Sequence, residues 1–164
     1  MKFSATDIHW LQAAEGWLEL GNHVEADKEL DNITPQLRAH TLVLQMRWRV
    51  HAQAKKWDRC VEIASTLTKL NPEDEQAVVN LGNALYFSGR TQDAFDCVGG
   101  VMERFPKNPI LRYNQACYAA QLGRLEEAKR WLEKAFELDD KKELKLMALE
   151  DPDLAPLWDS LHAE

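Results

Sequence analysis

The side chains that most often carry out catalysis are scattered along this chain. None of its histidines belongs to an H-E-x-x-H zinc motif, and no serine occupies a G-x-S-x-G nucleophile elbow. Gly99-Gly100 interrupts a helical pattern without a following G-K-[ST], so this pair is not a phosphate-binding loop. The sequence therefore predicts no catalytic residues, no metal site and no cofactor, and we expect a protein that is not an enzyme. The five histidines are His9, His23, His40, His51 and His162.

The three cysteines, Cys60, Cys97 and Cys117, are widely spaced and form no C-x-x-C pair. An odd number of isolated cysteines indicates neither a disulfide framework nor a zinc site, and it is consistent with the reducing cytoplasm. Two interpretations of Cys117 stay open: a reactive thiol, or a buried and inert one, which we favour.

The net charge of -7 at pH 7 disfavours two classes of partner. Nucleic acids and anionic membrane surfaces are bound through clustered Lys and Arg. Residues 41–72 do hold six Lys and Arg against two Asp and Glu, which we interpret as a solvated basic face; contact with an acidic partner stays open. No stretch has the uninterrupted apolar run of a signal peptide or a membrane span. We expect a cytoplasmic protein.

A pattern of small and apolar residues recurs every 34 residues. Its best copy, from Val78 to Pro106, places Leu81-Gly82 between apolar residues and continues to Gly89 and Ala94. This order resembles the tetratricopeptide repeat (TPR), a helix-turn-helix unit of about 34 residues, and the resemblance covers about residues 7–160. Shifts of 34 residues place Gly89 on Gly21, Lys55 and Gly123, and Ala94 on Ala26, Cys60 and Ala128.

The resemblance implies an all-α fold, a right-handed TPR superhelix in a single domain over residues 1–164. We expect four helix-turn-helix units, at about 7–34, 35–72, 73–106 and 107–140, followed by capping helices over 141–162 that cover the last apolar face. Pro35, with Thr34 as its N-cap, predicts an early start for the third helix. Gly99-Gly100 is expected inside the sixth helix, where close packing of a neighbouring helix is favoured over a hinge.

A concave surface lined by the first helix of each unit is where such a fold binds its partners, according to the resemblance. The residues expected there are rich in amides and aromatic rings. Amides can pair with the backbone of an extended peptide, and aromatic rings can anchor its apolar side chains. Asn80 and Asn114 are 34 residues apart and so occupy the same position in consecutive repeats, where we expect them to be neighbours. The alternative role for both is hydrogen bonding to nearby helices. The predicted peptide-binding residues are Gln45, Arg49, Asn80, Asn83, Tyr86, Tyr113 and Asn114, in a surface that also includes Gln12, Glu15, Gln53, Gln76, Phe87, Cys117 and Gln121.

Three functions are compatible with this surface. The first is an adaptor that binds an extended protein segment. The second is a filament-associated role, because the size, the four units and the tail resemble the bacterial kinesin-light-chain-like protein among small stand-alone bacterial TPR proteins, which implies tubulin-like filaments as partners. The third is a type III secretion chaperone. The carboxylate clamp of chaperone-binding TPR proteins is not expected, because the later unit lacks its Lys and Arg. We expect a monomer or a weak dimer.

Overall fold

The computed structural model describes residues 2–163, and these residues form α-helices joined by short turns and three 3-10 helices. The all-α prediction is confirmed for this part of the chain, in which no strand occurs. No helix among these residues is both long and apolar enough for a membrane crossing. The helices are α1 (Ala5–Glu19), α2 (His23–Asp31), α3 (Thr41–Gln53), α4 (Trp57–Leu70), α5 (Glu75–Phe87), α6 (Thr91–Gly99), α7 (Pro109–Gln121), α8 (Leu125–Phe136), α9 (Lys141–Glu150) and α10 (Trp158–Ala163).

The 34-residue period is visible in the positions where helices begin and end. The odd-numbered helices α1, α3, α5 and α7 end at residues 19, 53, 87 and 121, and each following helix begins at 23, 57, 91 and 125. Between them the chain reverses through one residue with positive φ, a conformation that favours glycine. These residues are Gly21 (φ 77°), Lys55 (φ 55°), Gly89 (φ 81°) and Gly123 (φ 75°).

The contacts divide the chain into two compact units, Met1–Ala84 and Leu85–Glu164, with the boundary inside α5. We call them the N-terminal unit and the C-terminal unit. The core of the N-terminal unit joins α1, α2 and α3, with Leu30, Ile33 and Val43 fully buried. Asp7 ties the start of α1 to the connection that follows α2, because its carboxylate accepts hydrogen bonds from the Ser4 amide (3.0 Å) and the Thr34 amide (2.9 Å).

Two predictions about helix ends were wrong. Pro35 starts only a 3-10 turn (Pro35–Leu37), and α3 begins later, at Thr41. The Thr34 side chain makes no capping bond; instead, the His40 ring accepts a hydrogen bond from the Leu42 amide (3.3 Å) at the start of α3. The other wrong prediction is that Gly99-Gly100 lies inside the sixth helix, since α6 ends at Gly99 and is followed by a 3-10 turn (Met102–Arg104).

Close packing at Gly99 is the interpretation that the structure supports. A β-carbon at this position would lie 2.9 Å from Nε2 of Gln115 on α7. Gln115 is buried, and its Nε2 donates to the Phe95 carbonyl (2.9 Å). The glycine therefore leaves room for an amide that links α7 to α6.

The predicted cap closes the core of the C-terminal unit. After α9 the chain forms a 3-10 helix, Pro152–Leu157, whose Leu154 and Leu157 are fully buried against α7, α8 and α9. Trp158 packs against the same core, and its indole N–H donates to the Ala148 carbonyl (2.9 Å). We call Asp151–Leu157 the cap segment.

Candidate functional site

A groove with a volume of about 600 Å³ opens on the N-terminal unit. It lies among α1, α3 and the first part of α5. Some of its apolar side chains are exposed to solvent, since Ile8 and Leu42 are 46% and 52% accessible. A groove of this size can hold several side chains of a bound segment. The lining residues are Ile8, Leu11, Gln12, Glu15, Leu42, Gln45, Met46, Trp48, Arg49, Gln76 and Asn80.

Helical spacing explains why apolar and polar side chains alternate in this groove. Residues three and four apart share one face of a helix, so Leu42 and Met46 form an apolar row on α3. Gln45 and Arg49, which follow Leu42 and Met46 by three residues each, form a polar row beside it on the same helix. The groove therefore offers an apolar contact surface beside hydrogen-bond donors.

The polar groups of the groove are held by weak and solvent-accessible contacts. Arg49 donates to the Glu15 carboxylate (2.8 Å), and both side chains are about half exposed. Gln45 donates to the Asp74 carboxylate at a long 3.4 Å. Exposed ion pairs contribute only about 0–1 kcal/mol to stability, so a ligand can replace these partners at small cost.

Three of the predicted peptide-binding residues meet at this groove. Gln45, Arg49 and Asn80 line it, and Asn80 accepts a hydrogen bond from Gln76 (2.9 Å). Asn83, one turn further along α5, is half-buried and does not line the groove. The peptide-binding role of all four residues stays a prediction.

The other three predicted residues belong to the C-terminal unit, where two of them hold the cap segment. Tyr86 donates to the Asp153 carboxylate (2.7 Å), and Tyr113 donates to the Asp151 carboxylate (2.9 Å). Gln121 adds a bond from its amide to the Asp153 carbonyl (2.8 Å). The tyrosine hydroxyls that were expected to face a partner are thus occupied by this chain's own carboxylates.

Asn114 has a local partner. Its side chain forms a hydrogen bond with Tyr118, the next turn of α7. The Tyr118 ring is buried and lies 5.4 Å from the ring of Tyr86, centroid to centroid. A role of Asn114 in peptide binding, and its expected proximity to Asn80, stay predictions.

Burial changes the acidity of the groups around the cap segment. It raises the pKa of Tyr86 and of Tyr113 well above the ordinary value, and the hydrogen bonds to Asp153 and Asp151 raise both further. Burial likewise raises the pKa of the Cys117 thiol, with a contribution from the charge of Asp151. At neutral pH these three groups are protonated and act as donors.

The same cluster contains the residues best placed to hold a metal ion. The thiol of Cys117 and the carboxylates of Asp151 and Asp153 bring one ligand atom each to within 4.8 Å of one another. The Cys117 thiol lies 3.7 Å from the Asp151 carboxylate and acts as a donor to it. The two tyrosine hydroxyls also occupy the carboxylates. The donor set is therefore better suited to holding the cap than to holding an ion.

Sequence reasoning missed two kinds of residue in these regions. The apolar lining residues Ile8, Leu42 and Trp48 were not assigned to the groove, although their spacing relative to Gln12, Gln45 and Arg49 carried that information. Asp151 and Asp153 were also missed as partners of tyrosines, because no local signal links carboxylates to donors that precede them by 38 and 67 residues.

The model of one protein family, described as "Coatomer epsilon subunit", matches residues 36–149 of the chain, which is well over half of it. The chain belongs to the coatomer epsilon subunit family. This is a TPR-like helical family, so the resemblance to tetratricopeptide repeats is confirmed. A search of curated protein sequences finds no match.

Solved structures similar to this coatomer epsilon subunit family member include several of MamA, a TPR-like protein. MamA MSR-1 in a C2 crystal form has a TM-score of 0.69 and 22% identity, over 81% of this chain and 76% of that one. MamA AMB-1 in a P212121 form has a TM-score of 0.67 and 24% identity, over 80% and 72%. A MamA RS-1 double mutant has a TM-score of 0.73 and 14% identity, over 85% and 79%. At these identities the similarity shows the fold.

Proposed function

We propose that this protein is an interaction scaffold that binds an extended segment of another protein in the groove of its N-terminal unit. The observation that carries the proposal is the groove itself, where half-exposed apolar side chains such as Leu42 lie beside donors such as Arg49. Isolated exposed leucines are common, but an apolar groove edged by polar groups is typical of binding sites.

The family supports the same function. Its name describes a subunit, which is a protein that works inside a larger assembly of proteins. Carrying that property to this chain is part of our proposal. Binding of this kind requires only surface complementarity, and the half-exposed Arg49–Glu15 pair is accessible to a partner.

Affinity capture from the source cell with the full chain as bait, followed by mass spectrometry, tests the proposal. Leu42→Glu places a charge on the apolar edge of the groove, and we expect it to abolish capture of the specific partners. Leu70→Glu is the matched control, because Leu70 is 56% exposed at the end of α4 and does not line the groove. Circular dichroism should show equal helical content for both variants. Equal capture by both variants would refute the proposal.

A further inference from the structure

We propose that the groove of the N-terminal unit takes a short acidic and apolar segment of a partner protein, with the chemistry of this chain's own cap segment. The segment has carboxylates at its first and third positions and leucines at its fourth and seventh. This inference rests on the proposed function, since it names the occupant of the same groove. It rests on a comparison of α7 in the C-terminal unit with α3, the helix at the equivalent repeat position in the N-terminal unit.

In the C-terminal unit, α7 shows how this fold binds such a segment. Tyr113 donates to the first carboxylate, that of Asp151, and Gln121 donates to a backbone carbonyl two residues later. Leu154 and Leu157 are buried beneath these polar contacts. Donors on one face of α7 therefore fix the first carboxylate and the backbone, Tyr86 of α5 holds the second carboxylate, that of Asp153, and the leucines supply the buried apolar area.

In the N-terminal unit, α3 has the same length as α7 and lies two repeat periods earlier. Gln45, Arg49 and Gln53 consequently occupy on α3 the positions of Tyr113, Cys117 and Gln121 on α7. Gln53 donates to the Leu18 carbonyl of α1 (3.0 Å) and does not line the groove. Gln45 and Arg49 are therefore the donors of α3 that a bound segment can reach at positions matching those of α7.

Arg49 is the residue that favours a carboxylate. It takes the repeat position of Cys117, whose thiol lies 3.7 Å from the Asp151 carboxylate. A guanidinium binds a carboxylate more strongly than a thiol does, through two parallel hydrogen bonds. Its present partner, Glu15, is half exposed, so a carboxylate of the incoming segment can replace it at small cost.

The apolar part of the groove matches the two leucines. Leu42 and Met46 are one turn apart on α3, and Ile8 faces them from α1. A volume of about 600 Å³ accommodates two leucine side chains together with the backbone that connects them. The cap segment itself is fully used, since Leu154 and Leu157 are at most 1% exposed in the core of the C-terminal unit. The occupant is therefore a segment of another protein.

Fluorescence anisotropy with the full chain and a labelled, end-blocked peptide of the sequence Asp151–Leu157 tests this inference. We expect saturable binding that weakens at least about tenfold when both peptide leucines become alanine, because each buries apolar surface. Changing both peptide aspartates to asparagine, or Arg49→Ala in the protein, should weaken binding about threefold to tenfold. Arg59→Ala is the matched control, because Arg59 pairs with Glu62 on the exposed face of α4 and should leave binding unchanged.

Three results would overturn the inference. The first is absence of saturable binding, and the second is equal binding of the asparagine peptide. The third is binding that Tyr113→Phe weakens and Leu42→Glu does not, because the peptide would then be exchanging with the cap of the C-terminal unit. The proposed function and this inference can fail separately. If Leu42→Glu abolishes the capture of partners but the peptide does not bind, the groove remains the binding site and only the chemistry assigned to its occupant is wrong.

Discussion

The hydroxyl group of Tyr113 donates a hydrogen bond of 2.9 Å to the carboxylate of Asp151, although 38 residues separate the two along the chain. Tyr113 is buried. We expect Tyr113→Phe to lower the free energy of unfolding by about 1.5–3 kcal/mol, the range for a hydrogen bond to a charged group. Urea denaturation followed by circular dichroism measures the change.

A double-mutant cycle shows whether this loss belongs to the pair. Asp151→Asn is the second single variant, and its amide oxygen can still accept the bond from the Asp153 amide that starts the cap segment. Residues in direct contact are coupled by about 0.5–3 kcal/mol. Additive losses in the double variant would contradict a direct contribution of this hydrogen bond.

Alkaline pH should weaken the cap through its tyrosines. The pKa values of Tyr86 and Tyr113 are raised above the ordinary value of 10.0 by burial and by their bonded carboxylates. A raised pKa stabilises the folded state below the unfolded pKa, and this contribution is lost as the pH rises towards the folded pKa. We therefore expect the free energy of unfolding to fall from about pH 10 upwards.

The variant Tyr86→Phe with Tyr113→Phe supplies the comparison. It should be less stable than wild type at pH 8 and should lose less stability between pH 9 and pH 11. The measurement is urea denaturation across this pH range. Parallel curves for the two proteins would show that these hydroxyl groups do not cause the alkaline loss.

The repeat pattern predicted the helices well because the features that set it are local. The turn after each first helix needs a positive φ, and Gly21, Gly89 and Gly123 mark three of these turns directly in the sequence. The start of α3 was missed because Thr34 and Pro35 form a good local start signal, whereas the chain makes only a 3-10 turn there and α3 begins at Thr41, with the His40 ring accepting from the Leu42 amide. A histidine in the N-cap position is a weak signal in the sequence.

For the candidate site, helical phase predicted part of the groove lining but not the residues that hold the cap segment. Gln45, Arg49 and Asn80 follow from helical phase alone, and they do line one groove. The expected role of Tyr86 and Tyr113 could not include their bonds to the cap segment, since the path of the chain after α9 depends on how Leu154 and Leu157 fill a core built from α7, α8, α9 and α10. Phase predicts which face a residue occupies and leaves open what covers that face.

Asp7 should make the protein sensitive to acid. Its carboxylate accepts bonds from the Ser4 hydroxyl (2.6 Å), the Ser4 amide and the Thr34 amide. The bond from the Ser4 side chain, followed by the bond from the Thr34 backbone, holds the pKa of Asp7 well below its ordinary value of 3.8. A lowered pKa stabilises the folded state above the unfolded pKa, and this contribution is lost as the pH falls through the folded pKa.

We expect Asp7→Asn to be less stable than wild type at pH 7, and we expect the difference to shrink as the pH falls below about 4. Thermal denaturation at pH 7, 5 and 3 measures both effects. Asp58→Asn is the control, because Asp58 lies exposed in the first turn of α4. A difference between Asp7→Asn and wild type that stays constant with pH would rule out this ionisation as its source.

Gly99 should not tolerate a methyl group while Gln115 is present. The added β-carbon would lie 2.9 Å from Nε2 of Gln115, whose amide is buried and bonded to Phe95. We expect Gly99→Ala to destabilise the protein by about 1–3 kcal/mol, as overpacking of a core does. In a Gln115→Ala background, the same substitution should cost little. An equal cost in both backgrounds, measured by urea denaturation, would exclude the steric explanation.

Gly16 is the matched control for that substitution. It lies inside α1, and a β-carbon there would meet nothing within 4 Å. Because alanine favours the helix interior over glycine, we expect Gly16→Ala to stabilise the protein by up to about 1 kcal/mol. The two glycines should therefore respond with opposite signs.

Lys55 is the one described residue other than glycine with a positive φ, and this offers a way to stabilise the protein. Its φ of 55° occupies the turn position that glycine holds at Gly21, Gly89 and Gly123. A side chain in the left-handed region costs roughly 1–2 kcal/mol, and glycine removes this cost. Glycine also increases the conformational entropy of the unfolded chain, which offsets part of that gain in stability. We therefore expect Lys55→Gly to raise the free energy of unfolding by about 0.5–1 kcal/mol.

Lys56→Gly is the control, because Lys56 has a φ of -87° and its replacement by glycine should lower the stability of the protein. Urea denaturation of both variants decides the matter: a loss of stability in Lys55→Gly would mean that the lysine side chain contributes more than its backbone strain costs.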